Sequence, residues 1–316
     1  MGYFSTPLVI KSFAKLNLYL QVLSKRKDKF HNLSTLFVRI DLADTVTFSK
    51  RKDNLIKISC DSRQVPKNKT NLGYRAAALL KQELKVDSGI EIGIKKRIPV
   101  GAGLGGGSAN AASVLLGLNK LWNLNLSKTK LAKLGAKLGS DVPFFIHQTK
   151  FALGSQRGDK IKPLTALDKL KLWFILVYPN FKASTPLIYQ KYDAYLSAIQ
   201  HLEEIQDGKK LKIKQGAGLT RPGCNVKILT SELLEKGRAF DAACLFNGLE
   251  AVTGSLYPVV NQVKKALCGM GLDKVIMSGS GPSVYAICNS YSQAKRLKDK
   301  LHKQRKSWQV FAVSSV

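Results

Sequence analysis

Seven residues, Gly101-Ala-Gly-Leu-Gly-Gly-Gly107, five of them glycine, interrupt a chain that elsewhere alternates between strand-like and helix-like patterns. Before them Ile90, Ile92 and Ile94 alternate with Glu91, Gly93 and Lys95, which is the period of a strand. After them Ala111, Ala112, Leu115, Leu118 and Trp122 recur at helical spacing. One or two glycines suffice for a tight strand-to-helix connection, so five need another reason. Residues without a Cβ let the backbone approach a ligand closely and turn several N–H groups inward. The following helix, expected to start near Ser108, adds its positive N-terminal end. Phosphate is the natural guest. The predicted binding segment is Pro99, Val100, Gly101, Ala102, Gly103, Leu104, Gly105, Gly106, Gly107, Ser108, Ala109 and Asn110.

Two common phosphate loops fail on the residues themselves. A P-loop ends in Gly-Lys-Ser/Thr, whereas Ser108 and Ala109 follow Gly107. Gly101, Gly103 and Gly106 satisfy the loose dinucleotide pattern, but that fold needs an acid about 20 residues later for the ribose. No acidic residue occurs between Gly101 and Ser140.

The remaining pattern organises the chain around this loop. Ala14, Leu16, Leu18, Leu20 and Val22 share one face of a first strand, with Lys15, Asn17, Tyr19 and Gln21 on the other. Strands are expected at 36–42, 45–49 and 55–60, and a helix from Thr70. Ser127 is read as the cap of a helix that Gly139 ends. A second half, expected to begin near Leu167, carries strands at 170–178, 274–277, 284–287 and 308–313. Its helices are predicted at 186–205, 240–249, 257–268 and from Gln293, with Gly208–Gly223 as a surface loop or insertion. The expected domains are thus 1–166 and 167–316.

Composition excludes several classes. No apolar run reaches the roughly eighteen residues of a membrane span, and no secretory signal stands at the start. Cys60, Cys224, Cys244, Cys268 and Cys288 are scattered, as are His31, His147, His201 and His302. That spacing argues against a metal site or disulfide framework and for a reducing compartment, the cytoplasm. The formal charge of +30 is spread along the chain rather than gathered in a nucleic-acid motif. Its densest run, Ala294–Lys306, carries Leu297 and Leu301 at helical spacing and reads as the solvated face of a helix. No nucleic-acid or membrane partner is expected.

Three further groups are candidates for chemistry. Asp141, in Gly139-Ser-Asp-Val-Pro143, is the first acid after the long neutral-to-basic stretch, and on spacing alone it reads as a helix cap. Lys15 lies on the polar face of the first strand, where an isolated lysine is usually solvated. Ser278-Gly-Ser-Gly-Pro282, between two strands, either covers a phosphate or makes a turn.

In this order the pieces resemble the GHMP kinase superfamily. Gly103–Ala112 is similar to that family's specific glycine loop, and Ser278–Gly281 to its third glycine-rich motif. Ala14–Leu18, Lys29–Phe37, Ser140–Phe145 and Ser184–Pro186 resemble the branch acting on a cytidine-diphosphate-linked methylerythritol. The resemblance spans nearly the whole chain. It implies an α+β fold of two domains, the N-terminal one ribosomal-protein-S5-like and the C-terminal one ferredoxin-like, with the active site between them. It implies ATP, with Mg2+ carried by the nucleotide phosphates and no protein-held metal, and transfer of the γ-phosphate to a hydroxyl of the erythritol part. Asp141 and Lys15 match the catalytic positions. Asn71 and Lys96 fall near the nucleotide, and Asn17, Phe30, His31, Thr185 and Tyr189 fall where substrate is held. Phe13, Ala109, Gly248 and Pro282 depart from the family pattern. The alternatives are another GHMP kinase, of homoserine or mevalonate type, or a non-catalytic nucleotide- or nucleic-acid-binding protein.

Overall fold

A computed structural model describes residues 7–207 and 224–316. The Gly208–Gly223 stretch lies outside the described residues. Two compact units interleave along the chain. One comprises residues 1–15, 40–100 and 105–149, and the other 16–39, 101–104 and 150–316. The division differs from a single cut near 167 because two long strands, β1 (Leu8–Lys25) and β2 (His31–Arg51), each contribute to both units.

In the first unit β3 (Ile56–Cys60) runs parallel to β4 (Gly89–Lys95), which pairs antiparallel with Thr45–Arg51 of β2. Ile90, Ile92 and Ile94 are buried, as their alternation requires. Four helices accompany these strands: α1 (Leu72–Leu84), α2 (Gly106–Leu121), α3 (Lys128–Leu138) and α4 (Val142–His147). The Ser127 hydroxyl accepts from the Lys130 amide and Gly139 caps the far end of α3, so both ends stand where the sequence puts them.

In the second unit Tyr19 and Leu20 of β1 pair parallel with β8 (Phe246–Asn247). Thr35–Val38 of β2 pairs with β5 (Phe151–Ser155), and β5 with β6 (Lys160–Pro163). A second, antiparallel sheet has the order β11-β7-β10-β9, from Gln309–Ser314, Trp173–Tyr178, Val284–Cys288 and Val275–Met277. Around it stand α5 (Thr185–Asp207), α6 (Val226–Lys236), α7 (Glu250–Leu256), α8 (Val259–Cys268) and α9 (Tyr291–Gln304). The core joins Ile175 and Val177 to Val260, Val263, Leu297 and Trp308.

Three expectations change. The strands at 36–42 and 45–49 are one continuous β2. The helix expected at 240–249 is instead short turns, β8 and then α7. Long-range bonds outweigh local propensity there. The Asn247 amide donates to the Met277 and Gly279 carbonyls, both at 2.8 Å, while its oxygen accepts from the Leu249 amide. Finally, the polar face of β1 is not solvated, since Lys15 is 4% and Asn17 2% exposed. Burying a lysine and an amide costs several kcal/mol unless each is partnered, and Lys15 pairs with Asp141 while Asn17 donates to Thr35.

Candidate active site

The first unit gathers the loop's second half, the buried lysine and the acid. The Lys15 ammonium lies 3.6 Å from a carboxylate oxygen of Asp141. Lys15 is almost fully enclosed, whereas Asp141 keeps about a third of its side chain accessible. Asp141 occupies the N-cap position of α4, but its backbone is helical and its side chain makes no capping bond. The carboxylate is therefore available for another partner, and the cap reading is corrected. Pro143 supplies the helix start instead, since a missing N–H costs nothing in the first turn.

Gly105 stands directly beside this pair. It is the N-cap of α2 with φ +71°, and a Cβ there would sit 2.9 Å from Phe145 Cζ and 3.1 Å from Lys15 Cγ. A glycine cap offers no side chain to the first amides of α2, whose first turn holds no acid either. Those amides and the helix dipole are what an anion would meet. Ser108, one turn in, lies near Gly139, whose added Cβ would be 3.7 Å from the Ser108 hydroxyl. Ala109 and Asn110 are buried in α2, and among the described residues the side-chain oxygen Oδ1 of Asn110 has no hydrogen-bond partner.

Lys96 approaches the same helix start, as does Leu72, the residue after Asn71. An added Cβ on Gly106 would lie 3.2 Å from the Lys96 ammonium, and one on Gly107 3.4 Å from Leu72 Cδ1. Asn71 caps α1, its oxygen accepting from Gly73 at 2.8 Å while its amide donates to the Pro66 carbonyl at 2.7 Å. Sequence reasoning missed the partner of Lys96. Asp44, fully buried in β2, takes the Lys96 ammonium and the backbone amides of Arg97 and Ile98, at 2.7 and 2.9 Å. It fixes the turn into Pro99 and Val100. Its only sequence signal is an acid inside an apolar strand.

The first four loop residues belong to the second unit. Gly103, with φ +77°, is packed so closely that a Cβ would be 2.4 Å from the Ser278 carbonyl oxygen, and the Ser278 hydroxyl donates to the Gly103 carbonyl at 3.2 Å. The Ser283 amide donates to Ala102, and a Cβ on Gly101 would meet the stem of Lys182. Leu104 is buried. The Ser278–Pro282 turn therefore packs on the loop's first half, so it is more than a strand reversal.

The residues expected to hold substrate also lie in this unit. Asn17 donates to the Thr35 hydroxyl at 2.8 Å, and its carbonyl accepts from the buried Tyr285 hydroxyl, also at 2.8 Å. His31 stacks on Tyr189 with ring centroids 5.1 Å apart. Its Nε2 lies 2.7 Å from Asp193, which also accepts from Lys25 at 2.6 Å. Burial pushes the Asp193 carboxyl up, but the hydrogen bonds from Lys25 and His31 outweigh it and hold the group below its usual range. Phe30 is half exposed beneath the Arg157 guanidinium, and the Thr185 hydroxyl bonds that of Ser280 at 2.7 Å. Sequence reasoning also missed Asp193, although it lies one turn beyond Tyr189 on α5.

Among the described residues no cluster of His, Cys, Asp and Glu could hold a metal, and no helix is long and apolar enough to cross a membrane.

Comparison with known proteins adds the ancestry. Residues 71–149 match the family described as GHMP kinases N terminal domain, and residues 229–306 match GHMP kinases C terminal. The chain is 38% identical over 310 residues to 4-diphosphocytidyl-2-C-methyl-D-erythritol kinase of Syntrophus aciditrophicus (strain SB), covering 98% of this chain and 99% of the relative. The kinase of the same name from Enterococcus faecalis (strain ATCC 700802 / V583) is 36% identical, over 92% and 93% of the two chains. A crystal structure of 4-(cytidine 5'-diphospho)-2C-methyl-D-erythritol kinase superposes with a TM-score of 0.75 at 29% identity, covering 98% of this chain and 100% of the other.

Proposed function

The chain belongs to the GHMP kinases, which use ATP to phosphorylate small molecules, and on that premise we propose that it phosphorylates a hydroxyl of 4-diphosphocytidyl-2-C-methyl-D-erythritol in the non-mevalonate route to isoprenoid precursors. The observation that carries the reading is the Lys15–Asp141 pair at 3.6 Å, beside the glycine-capped start of α2. Relatives named for this activity over nearly the full length support the choice of acceptor. The segments matching the family models lie on either side of residue 167 and so support an N-terminal and a C-terminal family region, and the free thiols support a cytoplasmic setting.

Phosphoryl transfer asks a protein chiefly to position reactants and stabilise charge. Backbone amides of Gly103–Ser108 would hold the β- and γ-phosphates of ATP, with Asn71 and Lys96 beside the nucleotide. Asp141 would orient the acceptor hydroxyl for in-line attack and take its proton, and Lys15 would stabilise charge on the transferred group. The oxygens of Asp141 and Ser108 are hard donors of the kind Mg2+ prefers. That ion, arriving with the nucleotide, would neutralise phosphate charge. In the second unit Tyr189 and Phe30 would offer aromatic surface to the cytosine ring, His31 its polar edge, and Asn17 and Thr185 further polar contacts.

The test is a comparison of acceptors. With purified protein, ATP and Mg2+, the cytidylylated methylerythritol should yield phosphorylated product, and homoserine and mevalonate should not. Turnover of either alternative at a comparable rate would assign the chain to another branch of the family. Salt-sensitive polynucleotide binding without ATP turnover would favour a binding protein.

A further inference from the structure

The Lys25–Asp193–His31 chain has a consequence for which base the site accepts. Asp193 and Tyr189 are four residues apart on α5 and so share one face of the helix. That face meets His31 twice, with a ring against its plane and a carboxylate at its Nε2. Tyr192 adds an edge-on contact at 6.5 Å, and the histidine side chain is only 5% exposed. The ring is therefore fixed in plane and in rotation.

An ionised carboxylate has no hydrogen to give. Lys25, at 2.6 Å from the other oxygen, favours that ionised state. A contact of 2.7 Å between Asp193 and Nε2 thus requires the hydrogen to be on Nε2. In the neutral ring the remaining nitrogen, Nδ1, is then an acceptor. A hydrogen-bond partner that orients a histidine commonly selects its tautomer in this way.

We propose that Asp193, anchored by Lys25, fixes His31 as the tautomer bearing hydrogen on Nε2 and so makes the site select an amino-bearing pyrimidine over its oxo counterpart. Cytosine carries a donor amino group at C4 where uracil carries an acceptor carbonyl. An acceptor Nδ1 pairs with the first and opposes the second, and a site built around a hydrogen bond rejects an analogue that cannot make it. The inference rests on the reading that His31 and Tyr189 hold the base. Asp193 acts through His31 as a positioning residue.

Two measurements test it. In wild-type protein, 15N spectra of labelled histidine, with the His31 signal assigned by its loss in His31→Gln, should show a hydrogen-bearing Nε2 and a bare Nδ1. A hydrogen on Nδ1 would overturn the assignment. Steady-state kinetics would then compare cytidine- and uridine-diphosphate-linked methylerythritol as acceptors. Asp193→Ala should raise KM for the cytidine substrate about tenfold, the scale of one hydrogen bond, with kcat little changed. Its preference for cytidine over uridine should fall by a similar factor. An unchanged preference in Asp193→Ala would refute the proposal, as would a loss confined to kcat. If wild type turns over neither substrate, the functional reading fails, and the tautomer measurement still decides the role of Asp193 at His31.

Discussion

Gly105→Ala gives the sharpest test of why the loop is built from glycine. At φ +71° an alanine carries the cost of the left-handed region, about 1–2 kcal/mol. Its Cβ would also lie 2.9 Å from Phe145 Cζ, closer than Cβ atoms are found, and 3.1 Å from Lys15 Cγ. Phe145 is 6% exposed and cannot swing into solvent, so overpacking adds roughly 1–3 kcal/mol. The sum, about 2–5 kcal/mol, corresponds to a Tm drop on the order of 5–15 °C. The matched control is Gly107→Ala. That residue lies inside α2 with ordinary φ, and its Cβ would touch only Leu72 at 3.4 Å. Removing glycine's backbone freedom there should stabilise the apo protein by up to about 1 kcal/mol. Thermal unfolding of both variants without ligand, alongside kinase kinetics, makes the comparison. Gly105→Ala should melt early and lose kcat because Lys15 is displaced. Equal melting temperatures for the two variants would refute the steric argument.

Two further perturbations follow from buried groups. Asp44→Ala leaves the Lys96 ammonium and two backbone amides without their acceptor. Stripping one partner from a buried ion pair costs about 3–5 kcal/mol, so urea unfolding should shift to markedly lower concentration, and an unchanged midpoint would contradict the role given to Asp44. Of the five free cysteines only Cys268 is exposed, and burial pushes the Cys288 thiol up to about 11. At pH 8 iodoacetamide should therefore label Cys268 first, as read by peptide mass spectrometry, and rapid labelling of Cys288 would count against the packing of β10.

Much of the scaffold was legible because it rests on local rules. The alternation of Ile90, Ile92 and Ile94, the Ser127 cap and the Gly139 stop each depend on a few neighbouring residues, and each stands as read. Five glycines in seven residues likewise marked a loop of unusual backbone, in which Gly101, Gly103 and Gly105 take positive φ. What escaped depends on partners distant in sequence. Lys15 and Asn17 look like a solvated strand face until Asp141, Thr35 and Tyr285 arrive from elsewhere in the chain. Asn247 reads as part of a helix until its amide reaches the 277–279 turn. α6, with its Asn225 cap, and the short β5 and β6 were not anticipated. Strands of five and four residues leave little room for a period to declare itself. Asp44 and Asp193 meet Lys96 and His31 only in the folded chain, and spacing alone could not single them out.

The pairing of a carboxylate with an ammonium at the start of α2 is the centre of the account, and Asp141→Asn interrogates it with the least change of shape. ATP affinity, followed by calorimetric titration, should stay near that of wild type, because the amides of the loop are untouched. Turnover of the cytidylylated acceptor should fall by about two to four decades, the usual scale for an acid–base group. A variant that binds ATP and still turns over within a few-fold of wild type would show that the chemistry runs elsewhere.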